Sequence, residues 1–171
     1  MKITAHLAWI APFLAGYSYA HAEPASLCSA GDTVLFTCQA GRKTVSVCGS
    51  RDLSSSSGFL QYRFGNSPRA VELEYPKERG HPKDYFRFKD EGQGAKGSLS
   101  NLQFTIGAYT YTVYRFRHAT ESEFAGVAVK RGSSPLSFLR CGGAEPTDWL
   151  QELYKVGLPE VPDREFIEGP P

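Results

Sequence analysis

The sequence is short of the residues that most catalytic and metal centres need. Of its four histidines, His6 and His21 fall in an N-terminal stretch read below as a leader, which leaves His81 and His118. Neither stands close to a cysteine, so the closely spaced Cys and His ligands of a zinc site are missing. His81 sits in the turn "GHP" and His118 ends a strand pattern; both read as surface residues. No G-x-S-x-G elbow marks a serine nucleophile. No glycine-rich loop precedes a helix, so no phosphate cradle is built. Four cysteines, an even number in an exported chain, point to pairing and leave no thiolate for catalysis.

Two further shortages limit partners. No apolar run approaches the roughly 20 residues that span a bilayer. Nor is there an excess of one charge. The 19 basic residues fall level with the 18 acidic ones once Lys2 leaves with the leader. A net field that would steer the chain onto nucleic acid or an anionic membrane is therefore lacking. Glycosidases need only two carboxylates at a set separation, so motif alone leaves that class open. The acids are scattered, however, and Glu72 and Glu74 share one strand face that reads as solvated. The expectation is a protein that is not an enzyme and carries no cofactor and no metal.

What is present begins with the leader. Met1-Lys2 is followed by an apolar stretch from Ala8 to Ala15 and by "YAHA", with small residues Ala20 and Ala22. This order of charged start, apolar middle and A-x-A end predicts a secretory signal over 1–22, cleaved after Ala22. Pro12 and the shortness of the run argue against a membrane anchor. The residues "ASLC" place no small residue directly before Cys28, which argues against a lipid-modified cysteine. The chain from 23 onward is expected in the periplasm or outside the cell, as one domain over 23–158 followed by a Pro- and acid-rich tail over 159–171.

The domain reads as mainly β. "TVLFTC", "KTVSVC", "FLQYRF", "AVELEY", "YFRFK", "LQFTI", "YTYTVYRFR", "FAGVAVK" and "LSFLRC" are short, rich in aromatic and β-branched residues, and separated by turn signals. They predict a single antiparallel β-barrel or sandwich of about eight to nine short strands. The stretch 89–100, with Gly92, Gly94 and Gly97, reads as a surface loop. One helix is expected near the end. Asp148 is its cap and Gln151 completes a capping box. Trp149, Leu150, Leu153 and Val156 share a face, Gly157 takes the left-handed cap and Pro159 blocks continuation. That helix is expected to plug an open end of the β-structure, and the tail to lie along the surface.

"CQAGRKTVSVC" reads as a hairpin around a four-residue turn, "QAGR", that pairs Cys38 with Lys43, Phe36 with Val45 and Val34 with Val47. Val34, Phe36, Cys38, Val45 and Val47 then share an apolar face. Cys48 points the other way at the far end, roughly 13 Å from Cys38 along the strands. That is beyond the reach of a disulfide, whose Cα atoms lie within about 7 Å. Cys28 lies at the end where Cys48 sits. The preferred pairing is Cys28–Cys48 with Cys38–Cys141, out of the three that four cysteines allow.

Two stretches offer binding residues. In "YTYTVYRFR", Tyr109, Tyr111 and Val113 share one face while Tyr114 and Phe116 take the other. A strand covered on both faces, or a bulge near Val113, explains this and is the favoured reading. The other is an exposed aromatic row of Tyr109, Tyr111 and Tyr114 beside Arg115 and Arg117, able to bind envelope glycan or peptidoglycan. In "VAVKRGSSP", Lys130 and Arg131 enter a Gly-Ser turn, and a protruding basic loop can probe an acidic cleft.

The stretches "FTCQAGRKTVSVC", "GFLQYRFG", "VELEYP", "AGVAVKRG" and "ELYKVGLP" resemble a group of small exported proteins of Gram-negative bacteria with no assigned function. Separately, "FTCQAG", "GAYTY", "VKRG" and Cys141 fall in an order similar to that of periplasmic inhibitors of C-type lysozyme. That resemblance implies a small antiparallel barrel and a disulfide from the first strand region to the chain end. It also implies a serine-bearing and a lysine-bearing loop inserted into the lysozyme cleft. Lys130 matches the second loop. Thr105-Ile106 stands where the first would carry serine. The partner expected is thus a cell-wall hydrolase or an envelope glycan, met by a monomer.

Overall fold

The computed structural model describes residues 26–92, 94, 97–118, 123–142 and 149–167, with the side chains of His118 and Leu150 excepted. The leader, Asp148 and the last residues of the tail lie outside the described residues. Nine strands run as an antiparallel meander that breaks once. β1 (Thr33–Ala40), β2 (Lys43–Gly49), β3 (Leu60–Ser67) and β4 (Ala70–Tyr75) form one sheet in that order. β5 (Arg87–Gly92), β6 (Gly97–Ile106), β7 (Tyr109–His118), β8 (Phe124–Arg131) and β9 (Ser134–Arg140) form a second. The sheets do not close into a barrel, so the architecture is sandwich-like. The break falls at 76–86, where Pro76 and Pro82 offer no N–H to a ladder and a 3-10 turn at Pro82–Asp84 replaces strand. On the far side the first sheet is stitched to the end of β9. There Gly142 N–H donates to the Gln39 carbonyl at 2.7 Å, beside the Cys38–Cys141 bond.

Both disulfides pair as the sequence predicts, Cys28–Cys48 and Cys38–Cys141, each with Cα atoms 5.5 Å apart. The hairpin register differs from expectation. The turn is the two residues Gly41-Arg42, so Ala40 opposes Lys43, Cys38 opposes Val45 and Phe36 opposes Val47. Gly41, at φ +64°, supplies the left-handed residue that so tight a turn needs. The slip of two residues leaves the strand alternation intact, so Phe36, Cys38, Val45 and Val47 still share the buried face. Val34 does not join them. A bulge between Val34 and Phe36 turns Leu35 into the core and sets Val34 opposite Cys48.

The main core lies between the sheets. Phe36, Val45, Val47, Leu60 and Tyr62 meet Phe88, Leu102, Phe104, Val113 and Val127, and Tyr62 touches Phe104 with ring centroids 4.9 Å apart. Helix α1 (Leu150–Val156) adds Leu153, and Trp149 packs on Phe36 at 5.0 Å. Each such buried side chain contributes about 1.5–3 kcal/mol. Trp149 itself holds the N-cap position without a side-chain cap bond. Gly157 ends the helix in the left-handed conformation, as expected.

Each sheet is also covered on its outer face. Residues 26–29 cross the first sheet. Leu27 is buried, its N–H donates to Ser46 Oγ, and Arg63 donates to its carbonyl at 2.8 Å. The Cys28–Cys48 bond fixes this strap. The tail covers the second sheet, contrary to the expected surface course. Val161, Phe166 and Ile167 are buried against Leu99, Tyr114 and Ala128. Phe88 N–H donates to the Pro159 carbonyl, and the side chains of Gln103 and Asn101 donate to the carbonyls of Glu165 and Ile167. Nor is 89–100 a loop throughout: β5 extends to Gly92 and β6 begins at Gly97, in register from Gly92 opposite Ser98.

Candidate functional site

The tail stops short of one end of the second sheet and leaves a cleft of about 910 Å³ there. Strand alternation sets its floor. Arg87 opposes Gln103, Thr105 opposes Thr110, and Thr110 opposes Lys130. These residues point to the outer face, because Phe88, Leu102, Phe104 and Val113 between them point to the core. Pro162, Arg164 and Glu165 of the tail form one wall. Gly132 and Ser133 of the β8–β9 turn form another, and Tyr75, Asp84 and Tyr85 close the side toward β4.

Lys130 lies half-buried at this cleft, with no ion pair among the described residues. Arg131 follows it at the outer corner of the turn, exposed, its guanidinium carbon 5.8 Å from the Tyr109 ring centre. Tyr109 is 39% exposed. Tyr111 is half-buried and stacks on Phe104 with centroids 5.0 Å apart and planes 4° from parallel. Tyr114 is fully buried on the opposite face, under the tail, with its hydroxyl unpartnered among the described residues. The three tyrosines therefore form no common row. The broken alternation of "YTYTVYRFR" reflects a strand covered on both faces, and no bulge interrupts its pairing near Val113. Gly126 opposite Tyr114 makes room for that ring: a Cβ there would lie 2.8 Å from Tyr114 Cζ.

Charge pairing varies from one cation to the next around the cleft. Beside it, Lys89 donates to Asp163 and pairs with Glu91, clipping the tail to β5. Hydrogen bonds donated by Lys89 to these two carboxylates raise its pKa, and the bond to Asp163 holds that carboxyl below the usual carboxylate range. On the first sheet Arg63 is compensated by Glu74 at 3.0 Å and by Gln61. Arg87 and Lys130 have no such partner among the described residues. His81 accepts from Lys83 N–H as the cap of its short turn. Among the described residues no three metal-ligating side chains cluster, and no helix is long and apolar enough to cross a membrane.

Sequence reasoning reached Lys130 and missed the rest of the cleft. Arg87 stands 43 positions earlier by number, and Arg164 belongs to a tail expected at the surface. Only the strand register brings them together. Comparisons with family models, with curated proteins and with solved structures find no match to this chain.

Proposed function

We propose that this is a non-catalytic binding domain of an oxidising, extracytoplasmic compartment. Its partner is a cell-wall hydrolase of lysozyme type, whose acidic cleft receives the β8–β9 turn. One observation carries the reading. Lys130 and Arg131 end a strand paired on both sides, so two cations reach the Gly132-Ser133 turn on a rigid support. Two structural disulfides suit the compartment. Lysozyme-type hydrolases keep one cleft carboxyl protonated and the other ionised. A lysine delivered to the ionised one forms a pair sheltered from salt, and truncating such a pair costs roughly 2–5 kcal/mol of binding.

The test is lysis of bacterial cells by C-type lysozyme at micromolar concentrations of this protein. The expected result is slowed lysis, weakened by Lys130→Ala and unchanged by Arg69→Ala. Arg69 is exposed at the β3–β4 turn, at the opposite end of β4 from the cleft. Arg87→Ala is unsuited as a control, since Arg87 lines the same cleft as Lys130. Unchanged lysis rates at micromolar protein dispose of the hydrolase reading.

A further inference from the structure

We propose that the cleft on the outer face of the second sheet is itself a binding site, and that its ligand is a carboxylate-bearing oligosaccharide. Arg87 and Lys130 stand on β5 and β8, three inter-strand spacings across and two residues along the strands from each other, which places them about 16 Å apart. Both face the same cleft, and neither has an ion-pair partner among the described residues. Of the other cations on the two outer faces, Lys89 and Arg63 are neutralised by carboxylates, and Arg140 lies away from the cleft, its guanidinium carbon 5.4 Å from the Phe124 ring centre. Arg164 reaches the cleft from the tail, with its neighbour Glu165 at 3.6 Å as its one ion-pair partner among the described residues.

Between the cations the floor carries Thr105 and Thr110, short hydroxyls that donate and accept as sugar hydroxyls do. Tyr85 offers a ring at the rim, an apolar face with a polar tip. The backbone beneath is spent on the β6–β7 and β7–β8 ladders, so a peptide finds no strand edge to extend here. Asp84 and Glu165 at the rim repel a densely charged polymer. The site suits a chain with few, separated carboxylates. The hydrolase reading is not needed for this inference. Arg131 lies outside the cleft lining and Arg87 inside it, so the two readings fail separately.

The test titrates the disulfide-bonded protein with hexagalacturonate, following backbone amide signals by NMR. Maltohexaose, a hexaglutamate peptide and a dextran sulfate oligomer of similar length serve as comparisons. The expected result is saturable binding of hexagalacturonate with shifts centred on Thr105, Thr110 and Lys130. Arg87→Ala and Lys130→Ala each weaken it at least tenfold, while Arg69→Ala stays within twofold. Urea midpoints show that these surface variants remain folded. Arg131→Ala, outside the cleft lining, leaves hexagalacturonate affinity within twofold while weakening lysozyme inhibition wherever that is observed. The proposal is overturned by absent binding, by equal binding of the neutral hexasaccharide, or by tighter binding of the peptide or the sulfated oligomer. It is overturned equally by affinity that survives Arg87→Ala.

Discussion

Removing the two disulfides one at a time should cost different amounts, and the difference follows from topology. Cys38 and Cys141 are separated by 103 positions, Cys28 and Cys48 by 20. In the chain-entropy treatment the constraint on the unfolded chain is then worth about 4.7 kcal/mol for the first bond and about 3.3 kcal/mol for the second. The paired replacements Cys38→Ala/Cys141→Ala and Cys28→Ala/Cys48→Ala delete the same atoms, so truncation costs largely cancel in the comparison. Urea unfolding at neutral pH measures both. The expected order is a larger loss for the Cys38–Cys141 pair, by about 1.4 kcal/mol. The m-value should rise in both variants, because a released unfolded chain exposes more surface. A larger loss for the Cys28–Cys48 pair would refute the entropic reasoning. It would mean that the strap at 26–29, with its bonds to Ser46 and Arg63, contributes more than loop closure.

Gly126→Ala should destabilise by about 1–3 kcal/mol or more, since the new methyl meets the Leu139 carbonyl and the Tyr114 ring; thermal melting against Gly142→Ala, where among the described residues the nearest atom is the Gln39 carbonyl oxygen at 3.9 Å, checks it. Leu153→Ala should cost about 2–5 kcal/mol from its core position. Tyr154→Ala, on the exposed side of the same helix, should stay near 0.5 kcal/mol; urea midpoints decide. The Lys89–Asp163 clip should hold the tail over a defined pH window. Asp163 has a lowered folded pKa, so its contribution is present above the unfolded value of about 3.9 and is lost as pH falls through the folded one. Lys89 has a raised one, so its contribution is full below about 10.4 and is lost as pH rises through the folded value. Amide signals of Phe166 and Ile167 should respond to acid in the native protein and lose that response in Lys89→Met.

The strands were legible because each carries its own alternation and its own punctuation. "LQFTIGAYTYTV" pairs around Gly107-Ala108 as its pattern requires. Cysteine pairing was legible for a related reason: a two-residue error in the turn at Gly41 preserves which face each residue takes. Sheet partition was not legible, since no residue of β4 or β5 encodes that the ladder lapses at 76–86. The start of β6 was hidden by glycine and serine, residues with weak strand preference that pairing with β5 overrides. The tail was misread because Val161, Phe166 and Ile167 are spaced among prolines and acids, with no period to reveal a buried face. The candidate site depended on that tail and on register across four strands. Of the residues lining the cleft, only Lys130 stood out from the sequence.

The tail over the second sheet also ties folding to synthesis. A chain emerging N-terminus first can complete the β1–β4 sheet early, but Cys38 then waits for Cys141, and Tyr114 and Leu99 wait for residues 161–167. Trp149 and Leu153 of the main core arrive only shortly before. A product truncated before about residue 140 therefore keeps a reactive thiol and two uncovered apolar surfaces, the features by which quality-control proteases and chaperones sort incomplete chains. The order of the sequence makes the last strap a length check, satisfied only when the C-terminal segment has been made.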